Sequence, residues 1–139
     1  MNKFNENGLK NIKVGLELLS EREALSRALI CHKAGDFKSA EKIYRDIYIE
    51  NPRCADAPYL SGLILYHFGV MPTAIYALRR AIALDDSRSH YHYNLGVILL
   101  DDGKIIEAKE CFQKALALDS HYTLARDMLE ESEKKLETL

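Results

Sequence analysis

Apolar and polar positions alternate along this chain on two scales. On the short scale, stripes recur at the 3.6-residue helical period: Leu25, Ala28 and Leu29 with His32, then Ala40, Ile43, Tyr44 and Ile47. On the long scale the stripes repeat every 34 residues, punctuated by Gly35, Gly69 and Gly103. Seven residues before each glycine stands a small residue, Ala28, Gly62 or Gly96, and four before it Cys31, Leu65 or Leu99. Five residues after it comes Ala40, Ala74 or Ala108. Further along lie Tyr44, Leu78 or Phe112, and then Ile47, Ala81 or Ala115. A glycine takes the left-handed conformation that ends a helix without a Cβ penalty, so each unit reads as two helices joined at glycine. The alanines and glycines let the two helices approach closely, and the large residues fill the layer between pairs. The pattern predicts helices over 21–34, 37–50, 55–68, 71–84, 89–102 and 105–118.

The ends depart from this register, as the ends of a stacked array do. After Tyr122 the stripe Ala125, Met128, Leu129, Ser132 and Leu136 predicts one more helix, with Asp127, Glu130, Glu131, Glu133, Lys134 and Glu137 on its outer side. It reads as a capping helix over 123–139. Before the repeats, Leu9, Ile12, Leu16 and Leu19 are spaced for a short helix within an N-terminal extension, 1–20, behind a polar and disordered Met1–Asn7. Ser20-Glu21-Arg22-Glu23 has the form of a capping box for the first repeat helix. Pro72 suits the first turn of the fourth helix, and Pro58 that of the third, behind an Asp56 cap. The three units are then 21–54, 55–88 and 89–122.

The repeat wording is fullest in the third copy, NLGVILLDDGKIIEAKECFQKALALD. It resembles the tetratricopeptide repeat family, whose pattern is of the type W-x2-L-G-x2-Y…A-x3-F…P. The match is strong in the third unit, good in the second and looser in the first. Ala24, Pro58 and His92 replace the leading aromatic; Arg27 and Ser61 replace the next leucine in the first two copies; the final proline survives only as Pro52. The resemblance implies an all-α fold, a right-handed superhelix of helix-turn-helix units, with the first helix of each unit lining a concave groove. Carried onto this sequence, the lining is Arg22, Leu25, Ser26, Leu29, His32 and Lys33 from the first unit. Asp56, Tyr59, Leu60, Leu63, Tyr66 and His67 come from the second, and His90, Tyr93, Asn94, Val97, Leu100 and Asp101 from the third. These helices carry a second apolar and aromatic stripe that their own hairpin does not bury, strongest at Tyr59, Leu63, Tyr66 and Tyr93. Exposed aromatics edged by polar groups mark binding surfaces. The competing expectation is that the N-terminal segment or a second copy of the chain covers the stripe.

Composition narrows the function further. The 139 residues and 15.8 kDa suit one domain, and 47% apolar with 29% charged residues is globular. A formal charge of −2 lacks the basic face that nucleic-acid binding needs. No run of about 18 apolar residues would span a membrane. Met1–Gly8 has no hydrophobic signal core, and Cys31, Cys54 and Cys111, an odd set without a CxxC pair, read as reduced thiols in a cytoplasmic protein. Cys31 and Cys111 fall in core-like places and Cys54 in a turn.

Catalytic chemistry finds little support. Neither G-x-x-x-x-G-K, G-x-G-x-x-G nor G-x-S-x-G occurs. Ser61-Gly62 falls where the repeat needs small packed residues. His90 and His92 are two residues apart and so on different faces of a helix, while a helical zinc pair needs three or four. His32 and His67, near the ends of successive front helices, are placed to approach each other, but a third ligand is missing. No enzyme, metal or cofactor is therefore expected. Arg79-Arg80 and Lys134-Lys135 read as solvated surface.

The expected function is a protein-interaction module, an adaptor or scaffold whose groove receives an extended or helical peptide of another protein. Tyr59, Leu63, Tyr66 and Tyr93 supply apolar contact, with Leu25, Leu29 and Val97 beside them; Asn94, His67, His90, Lys33 and His32 supply polar contact. Histidine contact implies affinity that changes between about pH 5.5 and 7.5. Among family variants, the carboxylate clamp that grips chaperone tails is not matched, since Leu25, Leu29, Leu60, His90 and Asn94 hold its places. Arrays attached to O-linked glycosyltransferases are closer in wording, as in HKAGDFKSAEKIYRDI and RAIALDDS. Their asparagine ladder keeps one rung here, Asn94, with Ser26 and Leu60 at its neighbours. Type III secretion translocator chaperones share the size and layout. A substrate-presenting segment of a larger glycosyltransferase, or a self-assembling homo-oligomer, are the alternatives.

Overall fold

The computed structural model describes residues 21–139. The short helix expected around Leu9–Leu19, the Met1–Asn7 tail and the Ser20 half of the capping box lie outside the described residues. Within them seven helices follow one another. Helix α1 runs through 21–33, α2 spans Phe37–Glu50, α3 Asp56–His67, α4 Met71–Leu84, α5 Ser89–Asp101, α6 Ile105–Leu118 and α7 Thr123–Glu137. From α2 onward each packs on the next, Ala28 of α1 packs with Ala40 and Tyr44 of α2, and α7 also touches α5, so the described residues form an α-solenoid of stacked hairpins with a closing helix.

The same turn is built three times. At Gly35 the backbone φ is +81°; the Gly35 N–H donates to the His32 carbonyl (3.1 Å) and the Asp36 N–H to the Cys31 carbonyl (2.9 Å). Gly69 and Gly103 repeat both bonds at φ +76° and +80°. This paired closure satisfies the last carbonyls of α1, α3 and α5, and a side chain at such a φ costs about 1–2 kcal/mol. Asp36 then caps α2 by accepting from the Ser39 N–H (3.3 Å). Pro72 sits in the first turn of α4 as expected. Asp56 does not cap α3: Ala55 holds that position, and the Asp56 carboxylate is turned to Tyr91 of the next unit.

Between the two helices of each hairpin lie the small residues the 34-residue pattern singled out. Ala28, Ala40, Ala74, Ala108, Tyr44, Leu78 and Phe112 are fully buried. At Gly62 an added Cβ would stand 2.2 Å from Leu78 Cδ1, and at Gly96 2.6 Å from the Phe112 ring. The missing side chains are thus the space into which the facing large residues fit. The larger core cluster runs from Tyr59 and Leu78 through Tyr91, Leu95 and Leu99 to Phe112; a smaller one joins Ala28, Ala40, Tyr44 and Ile64. Helix α7 buries Ala125 and Ser132, lays Met128 and Leu129 on the larger cluster and turns its acids to solvent. Cys111 is buried and burial pushes its thiol up to about 11; Cys31 and Cys54 are half-buried.

Candidate peptide-binding wall

On α3, the side chains of Tyr59, Leu63 and Tyr66 leave the helix on the side opposite Ala57, Pro58 and Ser61, by the 100° step of an α-helix. The first group meets α5. The Asn94 Nδ2 donates to the Tyr59 hydroxyl (2.7 Å) and to the carbonyl of His90 (2.9 Å). A carbonyl accepts only, so the second bond identifies the nitrogen end of the amide. The Tyr66 hydroxyl donates to Asp101, and the Tyr91 hydroxyl to Asp56. Each of these three cross-links joins residues 35 apart, one more than the repeat length. They stitch α3 to α5 along the edge where these helices face each other.

The stitching consumes part of the aromatic stripe that the sequence left open. Tyr59 is only 7% exposed: its ring stacks on Tyr91 at 4.4 Å between centroids and meets the edge of His90 at 5.3 Å. Burial pushes its hydroxyl up to about 12. Tyr93, one repeat later, is half-buried against Tyr122 at 5.0 Å and Phe112 at 6.0 Å. The expectation that Tyr59 stands as an exposed anchor is corrected here. The next unit covers it, because a ring at this position reaches past its own hairpin into the following front helix. Tyr66 is half-buried, and its hydroxyl, bonded to the Asp101 carboxylate and partly desolvated, is also pushed up to about 12. Leu25, Leu63, Asn94 and Val97 are half-buried, Leu29 is 38% exposed, and Lys33 and His67 are exposed.

His32 and His67 do not meet face to face. Phe37 stands between them, 5.5 Å from the His32 ring and 4.4 Å from that of His67, with Phe68 at 5.6 Å. His32 Nδ1 lies 3.4 Å from the Tyr44 hydroxyl. Burial, then the proximity of His67, lowers the His32 pKa below its ordinary value. At His90, burial comes first and the Arg88 charge second, again lowering the pKa. Among the described residues no group of three or more His, Cys, Asp or Glu side chains is placed to hold a metal ion, and no helix is long and apolar enough to cross a membrane.

Sequence reasoning missed Asp56, Tyr91, Asp101 and Tyr122 as the partners of the tyrosines. A signal for them existed. In a 34-residue array, a hydroxyl and a polar side chain 35 residues apart on successive front helices are neighbours, and Asp56/Tyr91, Tyr59/Asn94 and Tyr66/Asp101 all satisfy it.

Comparison with known proteins agrees with this geometry. Family models described as tetratricopeptide repeat match residues 25–89 and 91–122. A curated relative from tomato (Solanum lycopersicum), the probable UDP-N-acetylglucosamine–peptide N-acetylglucosaminyltransferase SPINDLY, is 24% identical over 113 residues. The match covers 81% of this chain but 12% of the tomato protein, so the chain spans a small fraction of that relative's length. Among solved structures, a mutant O-GlcNAc transferase from Thermobaculum terrenum is 30% identical with a TM-score of 0.78, over 83% of this chain and 22% of that one. The type III secretion chaperone SycD of Yersinia enterocolitica, in complex with a peptide of the translocator YopD, superposes with a TM-score of 0.76 at 18% identity. That match covers 82% of this chain and 92% of SycD, and at this identity it speaks for the fold alone.

Proposed function

The chain belongs to the tetratricopeptide repeat family, and from that premise we propose that it is a non-catalytic protein-interaction module whose front helices receive a peptide of a partner protein. The observation that carries the reading is the stitched α3–α5 edge. It holds Leu63, Tyr66, Asn94 and Val97 in one fixed arrangement, half-exposed, without waiting for a ligand to order them. A preordered surface spares a ligand part of the entropy cost of binding. Leu29, Leu63, Val97 and the ring face of Tyr66 offer apolar contact. Asn94 has both amide protons engaged within the fold, so it offers its oxygen to a backbone N–H. His67, His90, His32 and Lys33 provide polar contact at the margin. Tyr59, Tyr93 and Leu25 act as supports beneath rather than as anchors. The peptide carried by SycD gives the reading a parallel in a similar fold.

A second reading rests on one observation, the 30% identity to the Thermobaculum transferase together with the small share of that protein covered. In it the same wall presents substrate to a catalytic domain elsewhere in a longer protein.

The test is selection of a random 12-residue peptide display library on residues 1–139. Enriched peptides are expected to lose about 1–2 kcal/mol of binding to Tyr66→Ala, as interface anchors do, with the thermal midpoint recorded alongside. Peptides that bind Tyr66→Ala and Leu29→Ala as tightly as the parent chain would remove the wall as the site.

A further inference from the structure

The other side of α3 faces away from this wall and floors a cleft between α2 and α4. Its volume is about 250 Å³, and Ala57, Pro58, Ser61 and Ala77 form an apolar base. Tyr48, Tyr76, Arg45, Arg80, Glu41 and Thr73 form the rim. The same cleft recurs one repeat later between α4 and α6, over α5, with a volume of about 280 Å³. Adding 34 to a residue number carries one onto the other, so the chain contains its own control.

The two rims differ in charge balance. In the second cleft, Arg79 of α4 is answered by Glu107 of α6 at 2.6 Å, and Glu110 and Lys114 stand beside them. Thr73 takes the place of Glu107 in the first cleft, and Tyr76 that of Glu110. Both acids are lost while both cations remain, as Arg45 and Arg80. Arg45 falls back on Glu41 of its own helix at 2.7 Å. Arg80 lies over the Tyr48 ring, 5.1 Å from its centroid, and donates to the Tyr48 hydroxyl. Among the described residues no carboxylate reaches Arg80. A half-buried guanidinium held on an aromatic face at the mouth of an apolar cleft is well placed to bind a carboxylate. Tyr76, 61% exposed, offers its ring beside it.

We propose that this outer cleft is a second peptide-docking site, for a partner segment that places an apolar side chain next to a carboxylate. The side chain enters over Ala57, Ser61 and Ala77; the carboxylate pairs with Arg80, the rim cation that none of the described carboxylates reaches. The site is independent of the inner wall, because it uses the opposite side of α3.

The experiment is an amide NMR titration of residues 1–139 with three end-capped pentapeptides, Gly-Gly-Phe-Asp-Gly and its Asn and Lys counterparts. The Asp peptide is expected to shift signals of Tyr48, Ala77 and Arg80 and to leave Asn94 and Val97 in place. Arg80→Gln should weaken it by about tenfold, the worth of one charge-assisted pair. Thr73→Glu, at an exposed position that leaves the core untouched, should also weaken it, by setting an acid of the chain's own beside Arg45 on this rim, as Glu107 stands beside Arg79 on the next, where it repels the peptide carboxylate. Equal binding of the Asp and Lys peptides, shifts confined to the inner wall, no shift with any peptide, or undiminished affinity in Thr73→Glu would each overturn the proposal.

Discussion

The first and third units share one 34-residue template and bury it to different depths. Helix α5 buries Tyr91, His92, Leu95, Gly96, Ile98, Leu99 and Leu100. Along 21–33, Ala28 is buried and its neighbours are half-buried or exposed. One position accounts for part of the gap. Arg27, Ser61 and Leu95 are equivalent; Leu95 is in the core, and Arg27 is exposed. The third unit is flanked by α4 on one side and α7 on the other, and in a solenoid each interface adds to the stability of the units that share it. Matching the repeat pattern therefore does not make units equal, because what a unit buries depends on its neighbours as well as on itself.

The largest test of this contrast is truncation at one equivalent position in both units. Phe112→Ala should cost about 3–5 kcal/mol and Tyr44→Ala distinctly less, toward the lower end of that range or below it. Hydrogen exchange should show the first change loosening α5, α6 and α7 together, and the second opening α1 and α2 alone. Equal costs and equally spread exchange would dissolve the contrast.

A smaller test adds a methyl group. Gly96→Ala drives a Cβ into the fixed Phe112 ring, and should lose about 1–2 kcal/mol after the gain of roughly 1 kcal/mol in helix propensity. Gly62→Ala meets the flexible end of the buried Leu78 side chain, with Ala77 Cβ at 3.2 Å and the Ala74 carbonyl at 3.3 Å having to give a few tenths of an ångström, so chemical denaturation should find less lost than at Gly96. A costlier change at Gly62 would reverse the ranking of the two hairpins.

The smallest effect is that of pH. Burial lowers the pKa of His32 and of His90 in the folded chain. Below the ordinary histidine value of about 6.5 the unfolded chain therefore holds more protons than the folded one. Stability should be level above that pH and fall as pH drops through the window down to the lowered values. The His32→Gln variant should flatten the part of this slope that exchange assigns to α1 and α2, and His90→Gln the part assigned to α3 and α5. A midpoint that rises on acidification through this window would contradict both assignments.

Helix positions were legible because their causes are local. Glycine ends each front helix, and a period of 3.6 marks each stripe, so the expected 37–50, 71–84 and 105–118 coincide with α2, α4 and α6. The front helices end one residue earlier than expected, at 33, His67 and Asp101, where the glycine closure takes over. The site was less legible. Asp56 resembles a cap from its own helix, and its role depends on Tyr91, 35 residues away. Tyr59 looks surplus to its hairpin, and only the following front helix reveals where the ring goes. Periodicity describes one helix at a time, whereas these contacts belong to the seam between units. The outer cleft was hidden for the same reason: Arg79-Arg80 reads as a solvated doublet until Tyr48 and Glu107 are brought to its two sides.

The cross-links between α3 and α5 also limit how far these two front helices can part. They tie this edge at three points, while the edge between α2 and α4 is spanned by Arg80 and Tyr48. Parting α3 from α5 would break these ties first, so under the proposed reading the wall takes a ligand that suits its existing shape.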